Sequence, residues 1–233
     1  MILTDIRHAL RTLRRAPGFA TAAILCLALG TGATATVFAV VNALLFRPLP
    51  VAHPENLVKI GTLSSGAGMV GDNSYPNYLD IQAAGTALQD AVAWTTEGVS
   101  IRIGNQTNRR LVHAVSDNYW PMLDVRPVLG RTFTLQEARE RLPVVVVSYR
   151  SWRRDLNGSP NIAGTSLMID GGPFTIVGVA PPGFVGTQPM VIPDAWVPAS
   201  VIEPELIKRR AGGGWKILGR LREGVSLAQA RSA

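Results

Sequence analysis

A run of 29 residues without a charge, Gly18 to Phe46 (GFATAAILCLALGTGATATVFAVVNALLF), constrains this chain more than any other feature. A helix of that length reaches about 44 Å at ~1.5 Å per residue, more than the ~30 Å hydrocarbon core of a bilayer. Within it, Gly30 and Gly32 stand in a G-T-G-A-T-A string that fits the dinucleotide fingerprint. That fingerprint needs a strand before the glycines, a helix opening after them and an acid about 20 residues on. Val51, Ala52 and His53 fall at that distance, with Glu55 the nearest acid. The run therefore reads as a membrane helix. Ala28, Gly32 and Thr36 recur at the spacing that lets a second helix approach, as do Gly30 and Thr34, although glycine is common in such helices anyway.

A secretory signal peptide is the rival, since basic residues precede the run and Ala33-Thr34-Ala35 resembles a cleavage site. The run is too long for an h-region of about 7–15 residues, so an uncleaved anchor is expected. Arg14-Arg15, followed by Ala-Pro, fits a twin-arginine signal poorly. Arg7, Arg11, Arg14 and Arg15 precede the run, and only Arg47 and Lys59 lie close behind it. The positive-inside rule then predicts a cytoplasmic N-terminus and an exported remainder. Leu3, Ile6, Leu10 and Leu13 share one face of a basic amphipathic helix that would lie on the cytoplasmic lipid surface.

Charge excludes some partners. The formal net charge is +7, but the four leading arginines and Asp5 account for +3 of it. The 19 basic and 15 acidic residues that remain are scattered, with no basic stripe to hold nucleic acid. The one cysteine, Cys26, falls inside the apolar run, so no intrachain disulfide can brace the exported part. His8, His53 and His113 are far apart and suggest no metal site, and no cofactor is implied.

Downstream, RPLPVAHPEN reads as a stiff proline-rich exit, and LVKIGT alternates as a strand. YPNYLDIQAAG reads as a helix with Pro76 in its first turn. AVAWTTEGVSIRIG and TNRRLVHAVS alternate with period two, and the run Val144–Val147 suits a strand buried on both faces. SYRSWRRDLNG reads as the helix after it. Residues 165–169 and 174–179 read as a hairpin turning at Asp170, Gly171 and Gly172. DAWVPAS and GWKILGRL are further strands, and SLAQARSA opens a helix capped by Ser226. Gly130, Gly158, Gly164, Gly178 and Gly183 read individually as turn residues.

Several blocks then carry a resemblance. DIRHALRTLRRAPGFATAAILCLALGTGATATVFAVVNALLFRPLP resembles the start of MacB/FtsX-type ABC transporter permeases that lack a fused ATPase. SDNYWPMLDVRPVLGRTFT, VVVVSYRSWRRDLNGSPNIAGTSLMIDGGPFTIVGVAPPGF and LGRLREGVSLAQARSA resemble, in order, the periplasmic core domain of that group. The resemblance implies an α+β fold: one N-terminal transmembrane helix, then a periplasmic mixed α/β domain of two subdomains, βαβ units beside a mostly β insertion. The boundaries expected are an interfacial helix at 1–17, the membrane helix at 18–47, a linker at 48–56 and the core domain at 57–233. It also implies a non-catalytic permease component that passes ATPase-driven motion to an exported or extracted substrate. The implied partners are a cytoplasmic ABC ATPase subunit, a second permease copy or homodimer, a periplasmic adaptor and membrane lipid. Such permeases return to the membrane with at least three further helices, so the sequence is expected to be part of a longer protein.

Two alternatives come from other classes. A membrane-anchored binding or adaptor module would share every feature except force transmission. An anchored hydrolase would need a triad drawn from Ser148, Ser151, His113, Asp117 and Asp155, yet no G-x-S-x-G elbow is present. No G-x-x-x-x-G-K-[ST] phosphate loop is present either. The expected catalytic, cofactor and metal residues are therefore none.

Overall fold

The uncharged run is a helix, α1, spanning Pro17–Leu45. The computed structural model describes residues 17–45, 51, 53–63, 70–85, 87–188, 191–211 and 213–232, and the expected interfacial helix lies outside them but for Pro17. No part of Pro17–Ala39 is buried against protein, and the span is long and apolar enough to cross a membrane. Its threonines hide their hydroxyls: Thr31 donates to the Leu27 carbonyl (2.7 Å), Thr34 to Gly30 (2.8 Å) and Thr36 to Gly32 (2.7 Å). In hydrocarbon no water is available to a free hydroxyl, so this back-bonding lets threonine sit in an apolar helix. Gly30 and Gly32 are thus helical interior and not a phosphate-binding turn.

Residues 49–233 form a second compact unit. Its strands are β1 (Leu57–Ile60), β2 (Thr62–Leu63), β3 (Val70–Gly71), β4 (Leu88–Ile103), β5 (Gln106–Val115) and β6 (Leu129–Gly130), then β7 (Val144–Val147), β8 (Ser166–Ile169), β9 (Gly172–Val179), β10 (Ala195–Pro198) and β11 (Lys216–Leu221). The helices are α2 (Tyr75–Ala84), α3 (Tyr119–Leu123), α4 (Leu135–Arg139), α5 (Tyr149–Asp155), α6 (Ala199–Ile202) and α7 (Leu227–Ser232). Caps written in the sequence set several starts. Ser74 accepts the Asn77 N–H, Ser148 accepts the Ser151 N–H, and Thr134 with Glu137 completes a capping box. Gly85, at φ 60°, ends α2.

Apart from the β2–β3 pair, the strands form one sheet in the order β1-β11-β4-β5-β10-β7-β9-β6, with β8 pairing both β4 and β9. The pairings β4-β5-β10-β7-β9-β8 therefore return to β4 and close a ring. Two connections are parallel, β5 to β10 and β7 to β9, the second crossing over through α5. The β8–β9 hairpin turns on Asp170 (φ 46°) and Gly171 (φ 84°), both left-handed, which is the two-residue turn whose twist suits a hairpin. Gly172 and Pro173 belong to the strand, which starts two residues earlier than the sequence pattern places it.

Alternation along the strands sorts the apolar residues into two cores. Val99, Ile101, Val112, Val145, Val147, Leu167 and Ile176 face into the ring. Val92, Trp94, Val115, Val144, Val146, Val177 and Trp196 face the other way, under Trp120, Phe133 and Phe184. The two cores thus lie on opposite faces of one sheet. At one margin, β6 meets β9 backbone to backbone. A Cβ on Gly178 would lie 2.2 Å from the Arg131 carbonyl oxygen, and one on Gly130 would lie 2.3 Å from that of Val177. These two glycines serve close approach, a stricter demand than a turn.

Candidate functional site

A cavity of about 470 Å³ opens where the β4–β5 hairpin projects from the ring. Ile101, Val147 and Leu167 line its apolar side, and Asn108, Arg110 and α5 supply polar groups. Ser148 follows β7 and caps α5, so Ser151 is held in the first turn, with the two hydroxyls 3.0 Å apart. Ser151 donates to Asp194 Oδ1 at 2.6 Å. Asp194 precedes β10; its N–H donates to the Leu111 carbonyl (2.7 Å), and its own carbonyl accepts the Ser148 N–H (2.9 Å). One acid thus joins β5, β10 and the β7–α5 turn.

Arg154, one turn further along α5, donates to Asp194 Oδ1 (2.7 Å) and grips Asp155 through two bonds (2.8 and 2.6 Å). Arg110 reaches Asp155 at 3.5 Å. The Arg154 hydrogen bonds hold the Asp155 carboxyl below its usual range against the opposing pull of burial. The same bonds push the Arg154 guanidinium up. Two cations and two anions therefore compensate one another in a fixed network. Such a network braces the mouth of the ring and lends it polar groups.

The five residues considered for a triad do not assemble. Ser148 and Ser151 touch, and Asp155 lines the same cavity, but the acid on Ser151 is Asp194. Asp117 accepts from Arg139 Nε at 3.2 Å instead. His113 is fully buried beside Trp196, with ring centroids 6.3 Å apart, on the face of β5 that turns away from the ring. Burial, then the nearby Lys216 charge, lowers its pKa to about 4. Among the described residues, no group of three His, Cys, Asp or Glu side chains could hold a metal ion. The residues that organise the cavity, Asp194 and Arg154, carry no local sequence signal, because their partners come from strands brought together only by the fold.

The sequence profile of the MacB-like periplasmic core domain matches residues 20–233, across both the apolar helix and the globular unit. The chain belongs to the MacB-like periplasmic core domain family. The periplasmic region of MacB from Actinobacillus actinomycetemcomitans superposes with a TM-score of 0.59 at 14% identity, covering 78% of this chain and 81% of that one. The extracellular domain of the noncanonic ABC-type transporter YknZ from Gram-positive bacteria gives 0.58 at 14% identity, covering 76% and 88%. No curated protein sequence matches the chain. At such identities the likeness is one of fold, and it bears out the mixed α/β domain behind one apolar helix. Membership of the MacB-like family makes the chain a component of the transporter class, a family of permease domains and not of enzymes.

Proposed function

We propose that this chain is a non-catalytic permease component of an ABC-type transporter. Its globular unit lies outside the cytoplasm and passes ATPase-driven movement to a substrate being exported or extracted. The observation that carries this reading is the family match itself, which joins a membrane-length helix to a MacB-like domain in one stretch. The excess of arginine before the helix favours a cytoplasmic N-terminus, with lipid around α1. ATP hydrolysis falls to a separate cytoplasmic ABC subunit, and a second permease copy and a periplasmic adaptor complete the assembly. The Asp194 network supports a mechanical role, because a displacement at α5 is tied directly to β5 and β10.

Ala163 is exposed, so in a Cys26→Ala background Ala163→Cys supplies one reporter thiol. A membrane-impermeant maleimide should label it in intact spheroplasts, and the tagged full-length protein should co-purify with the ABC ATPase encoded beside it. Labelling only after lysis would overturn the topology, and failure to retain any ATPase would overturn the permease reading.

A further inference from the structure

β5 is covered along only part of one side. Its main-chain groups alternate in direction: the Ser116 N–H just beyond it donates towards β4, to the Ala93 carbonyl, and the Leu111 carbonyl faces away, accepting the Asp194 N–H. On that far side β10 pairs with Val112–Val115 alone. The N–H and C=O groups of Thr107 and Arg109 therefore stand on an open strand edge, and residues 106–109 are all exposed. The other margin of the hairpin is held by β8, at Ile101 and Arg102. Gln106, Asn108 and Arg110 of the open strand line the cavity of about 470 Å³.

An open edge is a template for another strand, and strand addition takes affinity from main-chain bonds and specificity from alternate side chains. We propose that this edge binds an extended segment of a partner polypeptide in which apolar and acidic residues alternate. The segment lies along Gln106–Arg110, in line with β10. Its apolar side chains enter the cavity over Ile103, Val147 and Leu156. Its acidic side chains meet Arg109, which lies across Gly98 on the outward face with its guanidinium 3.2 Å from where a Cβ would sit.

Charge selects this occupant. The stretch NQTNRRLV, residues 105–112, holds two arginines and no acid. Among the described residues Arg110 meets one acid, Asp155, at 3.5 Å, and Arg109 forms no salt bridge. A second copy would set the same arginines against each other, and like charges on adjacent strands repel. The site rests on the strand edge and stands whether or not an ATPase partner exists.

The full chain in detergent should bind a fluorescein-labelled decapeptide of alternating leucine and glutamate, read by anisotropy. A fully N-methylated copy of the peptide cannot donate to the edge and should bind about tenfold more weakly or worse. A leucine–lysine peptide should lose a similar factor, and Arg109→Glu should reverse that preference. Thr107→Pro removes one edge N–H where an edge strand tolerates proline, and should weaken binding, whereas Thr107→Ala should not. No binding, equal binding of the N-methylated peptide or equal binding of the lysine peptide overturns the proposal. So does a concentration-dependent dimer abolished by Thr107→Pro, which would assign the edge to a second copy. The N-methylated arm needs no altered protein, so a variant that fails to fold leaves the outcome decidable.

Discussion

Asn118 and His113 lie close in sequence and are both out of solvent, yet they meet the cost of burial in opposite ways. Asn118 spends its whole bonding capacity. Its Oδ1 accepts from Tyr78 (3.0 Å) and Ser116 (2.9 Å), and its Nδ2 donates to Asp90 Oδ1 (2.9 Å) and the Ala91 carbonyl (2.7 Å). Neither ring nitrogen of His113 has a hydrogen-bond partner among the described residues, nor has the neighbouring Thr96 hydroxyl. The difference follows from position. Asn118 sits past the end of β5, where α2, α3 and β4 converge and no strand pairing fixes their arrangement. His113 is mid-strand, paired with Thr96 on one side and Trp196 on the other, so the ladder already fixes its backbone. Polar specificity is placed where the sheet offers none.

The comparison is most sharply broken at Asn118. Asn118→Ala strands the Tyr78 hydroxyl and the Ala91 carbonyl and removes one of the donors to Asp90, which keeps those from Gln82 and the Ala91 N–H, and should destabilise the globular unit by about 3 kcal/mol at pH 7. All five tryptophans lie beyond residue 93, so urea unfolding of the detergent-solubilised chain followed by tryptophan fluorescence reports on this unit. A loss below about 1 kcal/mol would mean that the network does not hold α2 to the sheet. Ser116→Ala is the intermediate case. It removes the acceptor of the Ala93 N–H (3.1 Å) and one donor to Asn118, and should cost about 1–2 kcal/mol in the same measurement. Because Ser116 and Asn118 share a bond, the double variant should cost less than the sum of the two single variants.

The sequence foretold local structure better than it foretold these sites. The apolar helix, the Val144–Val147 strand and the Ser226 cap all follow from composition, periodicity or a single polar residue at the right offset. The closure of the ring does not, because it depends on β8 touching β4 at Ile101 and Arg102 alone, far away in sequence. Asp194 carried no signal beyond opening the DAWVPAS strand, since its partners are contributed by β5, the β7–α5 turn and Arg154. Gly130 and Gly178 looked like turn glycines, and only the antiparallel pairing of β6 with β9 shows that the missing side chains matter most. Local chemistry is written locally, whereas sites assembled by non-adjacent strands are not.

The smallest effect at pH 7 is expected at His113, and its sign is the most informative. His113→Leu replaces a buried group with two unpartnered nitrogens by an apolar one of similar bulk, against Trp196 and close to Gly186. At neutral pH the change should lie within about 1 kcal/mol, on the stabilising side where the leucine packs without strain. Acid separates the two forms. The folded pKa, about 4, lies below the ordinary value of 6.5, so as pH falls the unfolded chain takes up the proton first. The native stability that depends on a neutral His113 is complete above 6.5 and is lost as pH falls towards 4, by roughly 3 kcal/mol at the lower end. His113→Leu should remove that part of the slope, leaving the contribution of carboxylates such as Glu137, whose pKa the Arg131 hydrogen bond holds at about 2. If the unaltered and His113→Leu proteins lose stability in parallel between pH 6.5 and 4, then the imidazole is partnered in solution, and the contrast with Asn118 is false.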